Sequence, residues 1–270
     1  MFKPNRRMIL AAGVSLAAYA AHAALDLPIL RARSRAWLGV QLALDKDSNK
    51  VVAKHVMRSS PADKAGIKTG DHILSMDGEA VSTPREVIAA IQDAGPGATV
   101  AVGIDHGGAQ SSVKVVLAEH PGDEEVLRLD KVGSFAPAWK GVTPVKGDAA
   151  SLKKLSGKVV LIDFWATWCG ACRSMVPTLN SLFDTFNPQG VQIVGLCDDT
   201  EDATLKVADK VGMKYAVNAT TSEETVADYG VFALPTIFIL DKKGVIRHVS
   251  VGALEAEVFE KPLKKLLAEP

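Results

Sequence analysis

Apolar and polar positions along the chain fall into two rhythms that change near residue 120. In the first stretch, "AWLGVQLAL" and "KVVAKHVMR" set β-branched and large apolar residues on either side of the turn-rich "DKDSN", which predicts two strands. "SSPADKAGIKTGDHILSMDGEAV" compresses a short helix, two glycine turns and another strand. "STPREVIAAIQDA" predicts a helix with clear punctuation: Thr83 suits the N-cap, Pro84 the first helical position and Glu86 a capping box, while Gly95-Pro96-Gly97 ends it. "ATVAVGID" and "SSVKVVLAE" form a closing hairpin around His106-Gly107-Gly108.

After "EHPGDEEVLRLDKVGSFAPAWKGV", where Pro, Gly and charge mix, the pattern alternates between elements. "KVVLIDFWA" is a continuous apolar run suited to a strand buried on both faces, "GACRSMVPTLNSLFDTF" has helical periodicity, and "GVQIVGLCDD" is a second buried strand. Two helices ("TEDATLKVADKVG" and "SEETVADYG") flank an extended piece, "KYAVNAT"; a hairpin, "PTIFILDKKG" with "GVIRHVSVGA", and a C-terminal helix complete the chain. The pattern predicts two domains: a small, mostly-β one over residues 35–119 and, after a linker at 120–132, an α/β one over 133–270 with a mixed sheet covered by helices on both faces.

A length of 270 residues accommodates both cores, and 31 basic against 31 acidic residues leave no bulk field to attract nucleic acid. The N-terminus changes the picture more. Lys3, Arg6 and Arg7 precede an uncharged run and the small-residue pattern Ala21-His22-Ala23, which reads as a signal peptide over residues 1–23. The alternative is an uncleaved anchor over residues 8–24, against which stand the alanine content and a length short of the roughly 20 strongly apolar residues a membrane helix needs. Export to the periplasm places the three cysteines where disulfides are made and broken. The six histidines are scattered, so no metal site is expected.

Cys169 and Cys172 sit at the start of a predicted helix. Unpaired amides and the helix dipole stabilise a thiolate there, so Cys169 is expected to be the exposed nucleophile of low pKa and Cys172, one turn on, the inward-facing resolving thiol. Asp163 lies in an otherwise apolar strand; its buried carboxyl should have a raised pKa and could take the Cys172 proton. Trp165 reads as core, and Trp168 as a wall of the site. Cys197, which ends a buried strand, reads as a packed small apolar residue.

The segment "SPADKAGIKTGDHILSMDGEAV" resembles a PDZ domain of the kind found in exported bacterial proteases. That resemblance implies that Trp37, Leu38, Gly39 and Val40 form a loop whose amides take the terminal carboxylate of a peptide ligand, with the peptide adding as a strand beside residues 38–42. Residues 133–270 resemble the TlpA/ResA-like branch of the thioredoxin superfamily. The resemblance rests on "FWATWCGAC", on Pro177 in the following helix and on "ALPT" at 233–236. It implies a cis Leu234-Pro235 bond beside the cysteines and contacts to substrate from Trp168, Gly170, Ala171, Leu234 and Pro235. It further implies protein or peptide disulfides as substrates, a membrane-embedded thiol as electron donor, and no cofactor beyond a Cys169–Cys172 redox disulfide.

Two positions depart from the branch. Asp163 matches the acidic residue of thioredoxin itself, where many members of the branch have asparagine, and Met175 stands where some cytochrome-c-maturation members carry an acid. The expected activity is therefore general disulfide reduction. An oxidase or isomerase running the same chemistry in other directions, and an envelope scaffold with a redox-switched cysteine pair, remain the alternatives. Gly170-Ala171 supplies neither a histidine nor a proline between the cysteines, so the reduction potential is expected nearer the thioredoxin value, about −270 mV, than the oxidant value, about −120 mV. Equilibration against glutathione and dithiothreitol buffers measures it, and a value near the oxidant end would reverse the inferred direction.

Overall fold

The structure, a computed structural model, describes residues 35–270 except residue 221. The leader at 1–23 and the alternative anchor at 8–24 lie outside the described residues. No helix among those described is long and apolar enough to cross a membrane.

The first domain contains β1 (Ala36–Trp37), β2 (Val40–Leu44), β3 (Val51–Val56), α1 (Pro61–Lys64), β4 (His72–Met76), β5 (Glu79–Ala80), α2 (Pro84–Ala94), β6 (Thr99–His106), β7 (Ala109–Val116) and β8 (Ala118–Glu119). Its sheet runs β2-β3-β4-β6-β7, antiparallel throughout, with β5 folded onto β4 and β1 paired with β8 as a separate ribbon. Val51, Ala53, Ile73, Val100 and Val102 from the strands pack with Ile67 and with Val87 of α2 to form the core. The capping box forms at α2: Thr83 Oγ1 accepts from the Glu86 N–H, and the Glu86 carboxylate accepts from the Thr83 N–H at 3.1 Å. "AWLGVQLAL" is two strands where the pattern predicts one. Gly39 takes φ +81°, and a Cβ built on it would stand 2.1 Å from Ser60 Cβ, so the chain turns there with another segment pressed against its backbone.

In place of an irregular linker the structure has a helix, α3 (Asp123–Lys131). Asp123, Glu124 and Glu125 at its N-terminus and Arg128 and Lys131 at its end complement the helix dipole. Leu127 is buried in the second domain's core with Phe164, Tyr229 and Phe238. The first domain holds the same helix by hydrogen bonds: Arg58 donates to the Asp130 and Val132 carbonyls, and His55 Nε2 lies 2.8 Å from Asp130 Oδ1.

The second domain contains β9 (Val142–Lys146), β10 (Val159–Trp165), α4 (Gly170–Phe186), β11 (Val191–Cys197), α5 (Glu201–Lys210), β12 (Ala216–Thr220), α6 (Glu223–Tyr229), β13 (Thr236–Leu240), β14 (Ile246–Val251) and α7 (Ala256–Ala268). The sheet order is β14-β13-β10-β11-β12-β9; β10, β11 and β12 are parallel, while β9, β13 and β14 pair antiparallel with their neighbours. Every residue of β10 is buried. Val159, Leu161 and Trp165 point into the core layer shared with α4 and α7; Val160, Ile162 and Phe164 point into the layer shared with α3 and α6.

Truncating Leu127 to alanine removes the side chain that ties α3 to the second core, and the expected cost is about 2–4 kcal/mol. Urea denaturation with Trp fluorescence on separated domain transitions should show the loss in the second domain's transition; a loss confined to the first would mean that α3 is not part of the second core.

Candidate active site

Chain direction places the chemistry. Strand β10 ends in buried Trp165, a short loop follows, and Cys169 becomes the N-cap of α4. Its sulfur accepts a hydrogen bond from the Cys172 backbone N–H at 3.1 Å, the donor geometry that stabilises negative charge on sulfur. The two cysteines form a disulfide with an S–S distance of 2.00 Å. The exposure expected of Cys169 is not seen in this state: it is 6% exposed and Cys172 2%. Cys169, bonded to Cys172 beneath the first turn, lies in the core layer of β10 and α4 and is the more accessible of the pair. The loop is pinned by Arg173, which donates to the Thr167 carbonyl at 2.9 Å, and by a hydrogen bond from Thr167 to the Asp199 carboxylate.

Around the disulfide the sequence-predicted residues separate into wall and floor. Trp168 is 72% exposed, Gly170 and Ala171 are exposed on the first turn of α4, and Trp165 is fully buried. The Leu234-Pro235 bond is cis, with Pro235 buried and Leu234 half-buried. The Leu234 N–H and C=O have no hydrogen-bond partner among the described residues. A groove of about 240 Å³ runs between Trp168, Phe232 and Leu234. Phe232 is the member that sequence reasoning missed. It stands in a loop three residues before the proline, where an aromatic carries no periodic signal.

Asp163 sits in the middle of β10 and is 2% exposed. Alternation puts it on the side of Leu161 and Trp165, the face covered by α4. Its Oδ2 accepts from the Tyr215 hydroxyl at 3.4 Å, and its Oδ1 is buried without a partner among the described residues. Burial pushes its pKa up to about 7, with the Tyr215 hydrogen bond opposing. Cys197 is buried at the end of β11, and burial pushes its thiol up to about 12, which leaves it protonated and unreactive at neutral pH. Among the described residues no three His, Cys, Asp or Glu side chains gather as a metal site would require.

In the first domain, Leu38 and Gly39 lie between β1 and β2, and their N–H groups have no acceptor among the described residues. The Leu38 and Gly39 carbonyls are held by the Ala62 and Met57 amides, which fixes the loop. Val40 opens β2, the edge strand, so one row of backbone groups is open beside α2. Trp37 is half-buried and packs edge-on against His120. A groove of about 170 Å³ between the loop, Ile88 and Gln92 completes the surface.

The AhpC/TSA family model matches residues 132–249 and the PDZ domain model residues 36–117. Thiol-disulfide oxidoreductase ResA of Bacillus thuringiensis (strain Al Hakam) is 34% identical over 137 residues, which are 50% of this chain and 79% of that protein. The chain belongs to the ResA-like thiol-disulfide oxidoreductases. Thiol:disulfide interchange protein DsbE of Pseudomonas aeruginosa is 34% identical over 122 residues, 43% of this chain and 66% of the relative. A solved structure of a DsbE-type interchange protein from Chlorobium tepidum has 30% identity and a TM-score of 0.46, covering 51% of this chain and 99% of that one. The two curated relatives align with 50% and 43% of the chain.

The buried carboxyl gives the oxidoreductase a pH signature. Because the folded-state pKa of Asp163 is raised from 3.8 to about 7, the folded protein keeps a proton that the unfolded chain has released between those values. The resulting stability is complete below about pH 4 and is lost as pH rises through about 7. Asp163→Asn is expected to remove this dependence and to exceed the wild type in stability at pH 8 by roughly 2–4 kcal/mol, with little difference at pH 4. Denaturant titrations across that range check it; a constant difference between the two proteins would place Asp163 in contact with solvent.

Proposed function

We propose that the protein is a periplasmic oxidoreductase that reduces disulfides in exported proteins. Residues 133–270 perform the chemistry, and the PDZ domain at 35–119 recruits a partner by its C-terminal peptide. The observation that carries the reading is Cys169 as N-cap of α4, with its sulfur taking the Cys172 amide, next to an open apolar groove and the unpaired backbone of Leu234.

In the reduced protein the Cys169 thiolate attacks one sulfur of a substrate disulfide, and the other substrate sulfur leaves with the electron pair and takes a proton. The Cys172 thiol then gives its proton to Asp163 and its sulfur attacks Cys169, releasing the second substrate thiolate. Two electrons pass from the cysteine pair to the substrate. A membrane-embedded dithiol returns them. Leu234 offers N–H and C=O groups to an extended substrate segment, and Trp168 and Phe232 hold its apolar side chains, so recognition is by main chain and shape. The Leu38 and Gly39 amides bind the carboxylate of a peptide that extends β2.

Cys172→Ser, expressed in the periplasm, is expected to accumulate mixed disulfides on Cys169 that mass spectrometry identifies, whereas Cys169→Ser accumulates none. Deletion of residues 35–119 is expected to drop a defined subset of these partners. Absence of trapped partners would overturn the enzymatic reading in favour of a scaffold; trapping unaltered by the deletion would overturn recruitment by the PDZ domain alone.

A further inference from the structure

Among the described residues Asp163 has one side-chain partner. The Tyr215 hydroxyl reaches its Oδ2 at 3.4 Å, and the other carboxyl oxygen, Oδ1, is sealed from solvent and unpartnered. Tyr215 precedes β12, is 1% exposed, and belongs to the same core layer as Trp165, Cys169 and Cys172. Its path to the carboxyl crosses β11, where Asp163 is paired in register with Gly195. A Cβ on Gly195 would stand 2.9 Å from Trp165 Nε1 and 3.5 Å from Tyr215 Cε2. A strand residue without a side chain is thus what allows the indole and the phenol to lie against the backbone beside Asp163.

The other titratable groups on this face are Cys169 and Cys172 from α4, Cys197 from β11, and His248 of β14, which is turned edge-on to Phe259 of α7. None of them hydrogen-bonds Asp163. The residues that β13 and α7 contribute to this layer, Ile237, Ile239, Phe259, Leu263 and Leu266, are all apolar.

We propose that Tyr215 is a positioning residue for the resolving step: by donating to Oδ2 it fixes the carboxyl, leaves Oδ1 as the proton acceptor, and sets the pH at which that acceptor is charged. This rests on the role given to Asp163 in the proposed function. In that step the Cys172 S–H bond breaks and its proton goes to Oδ1. The sulfur electron pair forms the Cys172–Cys169 bond, and the Cys169–substrate bond breaks with its pair leaving on the substrate sulfur. The two cysteines lose two electrons and the substrate gains them. A donor on Oδ2 favours the charged carboxylate, so its removal must raise the pH at which the acceptor becomes available.

The test uses the mature full chain, reduced, with two readouts: the carbon-13 titration of the Asp163 carboxyl, assigned by its loss in Asp163→Asn, and the pH profile of single-turnover oxidation by a model disulfide. Tyr215→Phe is expected to move both midpoints up by about 0.5–1 unit. Site-specific 3-fluorotyrosine at 215, a stronger donor of nearly equal size, is expected to move them down, and it keeps the test available where phenylalanine impairs folding. Unmoved midpoints in both variants, with native circular dichroism, would make Tyr215 a packing residue and overturn the proposal. A pH profile left unchanged by Asp163→Asn would instead overturn the role of Asp163 itself, whereas a profile flattened by Asp163→Asn beside unmoved Tyr215 variants would remove the Tyr215 proposal alone.

Discussion

Strand β10 has no side that faces water, and most of the second domain follows from that constraint. A strand whose two faces are both apolar needs a cover on each, and the chain supplies α4 and α7 on one and α3 and α6 on the other. Burial of the strand also places the loop after Trp165 at the rim of the sheet, where the first turn of α4 is free to present a cysteine. The same constraint turns Asp163 from an ordinary surface acid into a proton-holding group, because a carboxyl in that position has almost nothing to solvate it.

The elements legible in the sequence are those with long or repeated signals. The seven residues of β10, apolar except for Asp163, the periodic face of α4 and the Thr83/Glu86 capping box each combine several signals pointing to one answer. Elements with short signals were not legible. Helix α3 buries chiefly Leu127 among charged residues, so its composition reads as a linker although tertiary packing makes it part of a core. Strand β9 carries Pro144, which normally argues against a strand and is tolerated here because β9 lies at the sheet's edge.

The site divides along the same line. Cys169, Cys172 and Asp163 stand in one segment, where they and the motifs around them were open to sequence reasoning. Tyr215 and Phe232 come from distant loops, and only the fold brings the first to Asp163 and the second to the groove. The burial of Cys169 was not legible, because a place at a helix N-terminus gives no sign that the disulfide-bonded residue packs in the core layer of β10 and α4.

Helix α3 also fixes how far the two binding surfaces are separated along the chain. With Leu127 set in the second core, the connection between β8 and α3 shrinks to residues 120–122, about 10 Å of extended backbone. The two domains are therefore joined by a connection far shorter than the 13-residue linker the sequence suggests. Under the proposed function, a substrate held by the first domain would meet the disulfide as an intramolecular partner, and the length of this connection would set its effective concentration there.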